Sequence, residues 1–232
     1  HSKPLHKKSR IAIIGGGLAG TACAYVLKQY GYEPVIYEAS QMLASGASGN
    51  ECGFFNPRFS KHRDGMANFF IAAYAQFIRL AHQAGENIEY NPCGALHLMT
   101  TPEKQERFKE MQENWGWHDD HMRLLDKEQA SETAGIPQAY GALFLPDSGS
   151  VSPKKLCAYY AKDIEVRYNS RIENLAEVAA DAIILCNASQ AASFDCLPWL
   201  TLEEVRGQIT KISANEHTAK IKSNIHYGGY IS

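Results

Sequence analysis

Residues 11–38 read IAIIGGGLAGTACAYVLKQYGYEPVIYE, and the fold follows from this stretch. Ile11 to Ile14 form a short unbroken apolar run, the pattern of a parallel strand buried on both faces. Gly15, Gly17 and Gly20 follow at G-x-G-x-x-G spacing and open a helix directly out of that strand. Each glycine has a mechanical reason. Gly15 permits the tight turn, Gly17 lets the backbone approach a pyrophosphate, and Gly20 lets the helix pack close against the sheet. The unpaired N–H groups at the helix N-terminus then favour an anion. Leu18, Ala22, Tyr25, Val26 and Gln29 are read as the inner face of this helix, and Gly31 as its left-handed terminator. Pro34 to Tyr37 is the second strand. Glu38 stands at its carboxyl end, 18 residues beyond Gly20, where a carboxylate accepts from both hydroxyls of an adenosine ribose and repels a 2′-phosphate. Strand, turn, helix, strand and terminal acid together define a dinucleotide-binding unit.

With 232 residues, 45% of them hydrophobic, the chain has material for one large or two small domains. Lys and Arg (23) nearly balance Asp and Glu (25), and a net charge of −2 sets up no global positive field for a nucleic acid, which leaves only local basic patches. The six cysteines, Cys23, Cys52, Cys93, Cys157, Cys186 and Cys196, include no C-x-x-C pair and no metal spacing with histidine. They read as reduced core or turn residues, and no metal site is expected. No run approaches the roughly 18 apolar residues of a membrane span. The polar, basic opening HSKPLHKKSR reads as a linker over residues 1–10 and lacks the apolar centre of a signal peptide. A cytoplasmic protein with no membrane association is the expectation.

Beyond Glu38, the segment ASQMLASGASGNECGFFNPRFSKH is dense in Ser, Gly, Asn and Pro and too long for a simple turn, which marks a functional loop. Its small residues Ser45, Gly46, Ala47, Ser48, Gly49 and Asn50 are suited to line a phosphate or a flavin ring. Arg58, Lys61, His62 and Arg63 form a short basic cluster, a solvated charge run or a contact for a phosphate backbone. Helical spacing of Phe69, Ala72, Ala73, Gln76, Phe77 and Leu80 predicts an amphipathic helix over 65–83 with these residues as its core face. Strands are predicted at Gly94–Thr100, Met122–Leu125, Tyr140–Leu145, Ile164–Tyr168 and Asp181–Cys186, and again at Val205–Ser213 and Asn224–Ser232. Helices are predicted from Pro102 to Trp115, from Lys127 to Ala134 behind an Asp126 cap, and from Pro153 to about Lys162. His97 is read as an ordinary strand residue. The expected fold class is α/β, a Rossmann-like doubly wound sheet formed by 11–60 and 150–190, interrupted by an α+β substrate domain of 61–149 and 191–232.

The order GGGLAG, Glu38, SGASGN, DAIILCNA and VRGQ resembles the D-amino-acid-oxidase-like flavoproteins, which oxidise C–N bonds of amino acids and secondary amines. More narrowly, ASGASGNECGFFNPRFSKH, LPDSGSVSPKKLC, LPWLTLEEVRGQITKI and YGGYIS resemble the flavin domain of the bifunctional MnmC family of tRNA-modifying enzymes. That resemblance implies FAD as the cofactor, held by Gly15, Gly16, Gly17, Leu18, Ala19, Gly20, Glu38, Ala39 and the Ser45–Asn50 loop. It also implies contacts from Ile172 at the adenine and from Asn187 and Ala188 beneath the cofactor. It implies oxidative removal of a carboxymethyl group from the wobble uridine of tRNA, with Arg206 as candidate for the substrate carboxylate and Arg58, Lys61 and Arg63 as candidates for tRNA phosphates. A methyltransferase domain N-terminal in the same protein is the implied partner, and further substrate-sheet residues are expected beyond YGGYIS, so the substrate domain reads as C-terminally truncated. Three alternatives stay open: a free amino-acid or sarcosine-type FAD oxidase, an inactive FAD-domain fragment acting as a nucleotide- or partner-binding module, and a nicotinamide-dependent dehydrogenase.

Overall fold

The computed structural model describes residues 4–205 and 207–232. In chain order the strands and helices are β1 (Arg10–Ile14), α1 (Leu18–Gln29), β2 (Glu33–Tyr37), β3 (Gly53–Phe55), α2 (Gly65–Ala84) and β4 (Ala95–Leu98). There follow α3 (Pro102–Trp115), β5 (Arg123–Leu125), α4 (Lys127–Ala134), β6 (Ala142–Leu145) and β7 (Gly149–Val151). The last are α5 (Pro153–Ala161), β8 (Glu165–Arg167), β9 (Ala182–Leu185), β10 (Asn224–His226) and β11 (Tyr230–Ile231). The chain divides into two compact units, His1–Glu51 with Ser152–Ile209, and Cys52–Val151 with Thr210–Ser232. These boundaries differ from the expected ones at 52–60, where β3 pairs with β7 in the second unit, and at 191–209, which falls in the first.

The first unit is built on a four-stranded sheet in the order β8-β2-β1-β9. Every neighbouring pair is parallel. The apolar run of β1 is central, which is why Ile11, Ala12 and Ile13 are almost wholly buried. Ile11, Ile13 and Ile36 face α1 and α5, meeting Ala24 and Ala161 with Cys23 and Leu27 around them. The opposite face carries Ala12, Ile14, Val35 and Tyr37. It is covered by the connection from β8 to β9, whose Ile172, Leu175, Val178 and Ala180 cross the sheet with a single 3₁₀ turn at Leu175–Glu177.

The inner face of α1 differs from expectation. Gly20, Thr21 and Ala24 are its buried residues, while Val26 is 46% exposed. Small residues win the sheet-facing positions because they let the helix axis come close. Tyr25 turns aside to pack on Tyr160 of α5, with ring centroids 5.2 Å apart. Gly31 does adopt the left-handed conformation beyond the helix end, at φ +86°.

The second unit has a five-stranded sheet in the order β11-β10-β4-β6-β5. Alternation along β6 sends Ala142 and Phe144 to a core with α4, and Leu143 and Leu145 to a core with Met111 and Trp115 of α3. Capping sets the helix starts as the sequence signals them. Thr101 accepts from Lys104 N–H, and Asp126 forms a reciprocal capping box with Gln129.

Two expectations in the second half of the chain are corrected. The VRGQITKI stretch predicted as a strand is irregular at 205 and 207–213, with Val205 84% and Ile212 76% exposed. Among the described residues no strand pairs with it, and an apolar alternation without a partner strand has nowhere to place its backbone hydrogen bonds. On α2, the residues that reach the core are Ala67, Tyr74, Ala81 and Ala84. The predicted core residue Phe69 is instead 66% exposed.

Candidate functional site

The turn between β1 and α1 is shaped by what surrounds its glycines. Gly15 leaves the strand at φ +109°, where a Cβ would stand 2.6 Å from the Cys186 carbonyl at the end of β9. A Cβ at Gly20 would stand 1.9 Å from the Gly15 carbonyl, so the helix seats on the turn only because a hydrogen is there. Gly16 has Leu43 Cδ2 at 2.6 Å and Glu38 Oε2 at 2.8 Å from the same hypothetical atom.

At the start of α1, Gly17 occupies the cap position with no side-chain cap, and the first turn carries no acid. Thr21 N–H makes the first helical bond, to Gly17 O at 3.0 Å. The N–H groups of Leu18, Ala19 and Gly20 therefore have no helical acceptor. Ser48 Oγ accepts from Leu18 at 3.0 Å, which folds the small-residue loop back over the turn. The remaining N–H groups and the positive end of the dipole are available to an anion.

Glu38 is 7% exposed. Its Oε2 accepts from Gly16 N–H at 2.7 Å, and its Oε1 from Ser40 N–H at 2.8 Å and Ser45 Oγ at 3.4 Å. A carboxylate offers about four acceptor positions. Three are taken, which leaves Oε2 one lone pair for a ligand hydroxyl.

These groups line one cavity of about 620 Å³, within the range of small-molecule sites. Gly15, Gly16, Gly17, Leu18 and Ala19 form one wall, and Glu38, Ala39, Ser45, Gly46, Ala47 and Ser48 a second. Ile172, Asn187 and Ala188 complete it. Of the predicted site residues, Gly20, Gly49 and Asn50 stand off the lining. Gly20 and Gly49 act on the backbone instead, since a Cβ on Gly49 would meet Ala44 O at 2.6 Å. The lining also includes Tyr37, Ser40, Ser170, Arg171, Cys186 and Gln190, which sequence reasoning passed over. Their signal was adjacency: each lies within three positions of a residue already singled out. Burial next to Cys23 pushes the Cys186 thiol up to about 11, so it stays a neutral wall residue.

Arg206 lies outside the described residues. The basic cluster belongs to the second unit, where Lys61 is paired with Glu110 at 2.7 Å, while Arg58 lies over the Phe70 ring and Arg63 over the Trp115 ring. His97 is more than an ordinary strand residue. It stacks on His226 of the parallel neighbour β10, centroids 4.4 Å apart and planes 14° apart. Burial pushes its pKa down to about 4, with His226 adding to the shift, and its Nε2 is buried without a partner.

A parallel sheet, a glycine turn onto a helix N-terminus and an acid at the next strand end define a dinucleotide-binding protein. Residues 10–231 match the FAD dependent oxidoreductase family, and the chain belongs to it. The family's cofactor, FAD, fits the residues present, because the uncapped N-terminus of α1 and the Glu38 carboxylate border one cavity of about 620 Å³.

Among similar proteins, the tRNA 5-methylaminomethyl-2-thiouridine biosynthesis bifunctional protein MnmC of Methylobacillus flagellatus is 30% identical over all of this chain. The protein of the same name from Chromobacterium violaceum is 29% identical over 99% of it. The chain spans 38% of the length of each. Glycine oxidase from Geobacillus kaustophilus shares the fold, with a TM-score of 0.69 at 23% identity over 84% of this chain and 60% of that one. L-proline dehydrogenase from P. horikoshii does so at 0.67 and 18% identity, over 95% and 64%. Among the described residues no helix is long and apolar enough to cross a membrane.

Proposed function

We propose that this chain is the FAD-dependent part of a tRNA-modifying oxidoreductase, removing the carboxymethyl group from 5-carboxymethylaminomethyluridine, or its 2-thio form, at the wobble position. The observation that carries the reading is the conjunction of a complete dinucleotide cradle with whole-chain similarity to the MnmC proteins. FAD, when bound, supplies the two-electron oxidation of the amine carbon. The chain's own residues do the positioning. The first-turn N–H groups of α1 hold the pyrophosphate, Glu38 Oε2 accepts from a ribose hydroxyl, and the Ser45–Ser48 loop closes over the turn through Ser48. Water hydrolyses the C=N bond that results, leaving the 5-aminomethyl base and glyoxylate.

We assign residues 11–60 and 150–190 to the cofactor and 61–149 and 191–232 to the substrate, with Arg206 assigned to the substrate carboxylate, whose two oxygens match a guanidinium fork. A methyltransferase domain in the same protein is the proposed partner, and the cytoplasm, where tRNA resides, the proposed location. The test is nucleoside analysis of tRNA from cells lacking the full-length protein. The carboxymethylaminomethyl nucleoside accumulates if the reading holds and disappears again on complementation. Unchanged tRNA, together with oxidation of free glycine or sarcosine by the purified chain, would replace it with a free amino-acid oxidase.

A further inference from the structure

The N-terminal half of α2 presents to solvent a strip that its sequence marks as core. Phe69 is 66% exposed and Met66 65% exposed, and Ala72 and Ala73 continue the strip along the helix. Phe70 lies at the edge of it, in contact with Phe69 at a centroid distance of 5.8 Å, and carries the Arg58 guanidinium 5.1 Å above its ring. Apolar side chains this exposed, beside cations, mark an interaction surface.

The preceding loop is braced rather than loose. Trp115 Nε1 donates to Ser60 O at 3.0 Å, Asn114 Nδ2 to Lys61 O at 2.9 Å, and Lys61 Nζ pairs with Glu110 at 2.7 Å. Asp64, the only acid in the loop, is committed to the helix cap, with its Oδ1 accepting from Ala67 N–H at 2.7 Å. Among the described residues neither Arg58 nor Arg63 has a carboxylate partner. Both lie over aromatic rings, Arg58 over Phe70 at 5.1 Å and Arg63 over Trp115 at 5.2 Å.

We propose that this surface docks RNA, with a nucleobase stacked on Phe69 and backbone phosphates taken by Arg58 and Arg63. An exposed aromatic face gripping a base and stacked arginines meeting phosphates is the chemistry by which unpaired RNA is held. The bracing of the loop reduces the ordering entropy lost on binding. Charge favours RNA, because two arginines without a carboxylate partner among the described residues stand beside the exposed aromatics and phosphates supply the negative charge they lack. The inference rests on the tRNA reading and adds where the RNA sits.

The experiment is fluorescence anisotropy of the full chain with a labelled anticodon stem-loop RNA, repeated for Phe69→Ala, Arg58→Ala and, as a control, Tyr140→Ala, another exposed aromatic of the same unit. Phe69→Ala is expected to weaken binding by about 5- to 100-fold. Arg58→Ala is expected to weaken it with the slope of log K against log salt reduced by about one, and Tyr140→Ala to leave it unchanged. Equal thermal melts of the variants confirm folding. If the unaltered chain binds no RNA, the tRNA reading itself fails. If it binds and neither substitution matters, only the surface is wrong. A dimer that Phe69→Ala dissociates at unchanged RNA affinity reassigns the strip to self-association.

Discussion

Replacing Glu38 with glutamine changes one atom of the cavity wall and probes the strand-end acid most sharply. In the native arrangement Oε1 and Oε2 accept backbone N–H groups from opposite sides, Ser40 at 2.8 Å and Gly16 at 2.7 Å. An amide has a single oxygen, so whichever way it turns, its NH₂ meets an N–H donor. One charge-assisted hydrogen bond is lost and one buried donor is left unsatisfied, about 1.5–3 kcal/mol. Because the Gly16 bond holds the turn in place without ligand, part of the effect falls on the apoprotein, whose Tm drops by roughly 3–12 °C. The ribose contact adds to it. Loss of that charge-assisted bond to the ribose hydroxyl is a separate effect of about 1.5–3 kcal/mol, so FAD dissociation constants are expected to rise by roughly 10- to 150-fold. Differential scanning fluorimetry reads the first quantity and flavin fluorescence titration the second. Glu38→Gln with both Tm and FAD affinity unchanged would refute the role assigned to this carboxylate.

Gly20→Ala pushes a methyl to within 1.9 Å of the Gly15 carbonyl, and the expected result is a chain that expresses in aggregated form or binds no FAD. Ala188 sits in the cavity wall at φ +52°, a conformation that costs a non-glycine residue about 1 kcal/mol. Ala188→Gly is therefore expected to raise the Tm by roughly 1–4 °C, checked by the same scan. His97 gives the second unit a pH dependence. Its folded pKa of about 4 lies below that of an unfolded histidine, so between pH 6.5 and 4 the unfolded chain binds more protons and acid drives unfolding. Roughly 3 kcal/mol of stability is lost across that window. His97→Phe is expected to flatten the fall in urea midpoint between pH 6.5 and 4, and an unaltered slope would dissociate the stacked pair from acid lability.

The cofactor unit was legible because its chemistry is local. A strand, three glycines and an acid are bound to fixed spacings by the size of a pyrophosphate and a ribose, and both β1 and Glu38 stand where the spacing puts them. Helix starts at Pro102, Lys127 and Pro153 were legible for the same reason, since Thr101, Asp126 and Ser152 cap through their own side chains. What periodicity misread was orientation. Both α1 and α2 show apolar residues at helical spacing on more than one side, and which side is buried depends on the neighbour, not the helix. Small residues decided it on α1, and on α2 Phe69 was left outside. The Val205–Ser213 stretch has a strand pattern, yet a strand is a property of two segments, and among the described residues its partner is absent. The pairing of His97 with His226 joins residues 129 positions apart and has no trace in either local sequence.

The cavity between Gly15 and Ala188 is a site for FAD. Titrating FAD into the purified full chain while following flavin fluorescence and the visible spectrum tests this directly. Saturable binding of one equivalent is expected, giving a yellow protein from which ADP displaces the flavin and NADP⁺, with its 2′-phosphate against Glu38, does not. A chain that stays colourless in excess FAD, or that binds NADP⁺ as tightly, would contradict it.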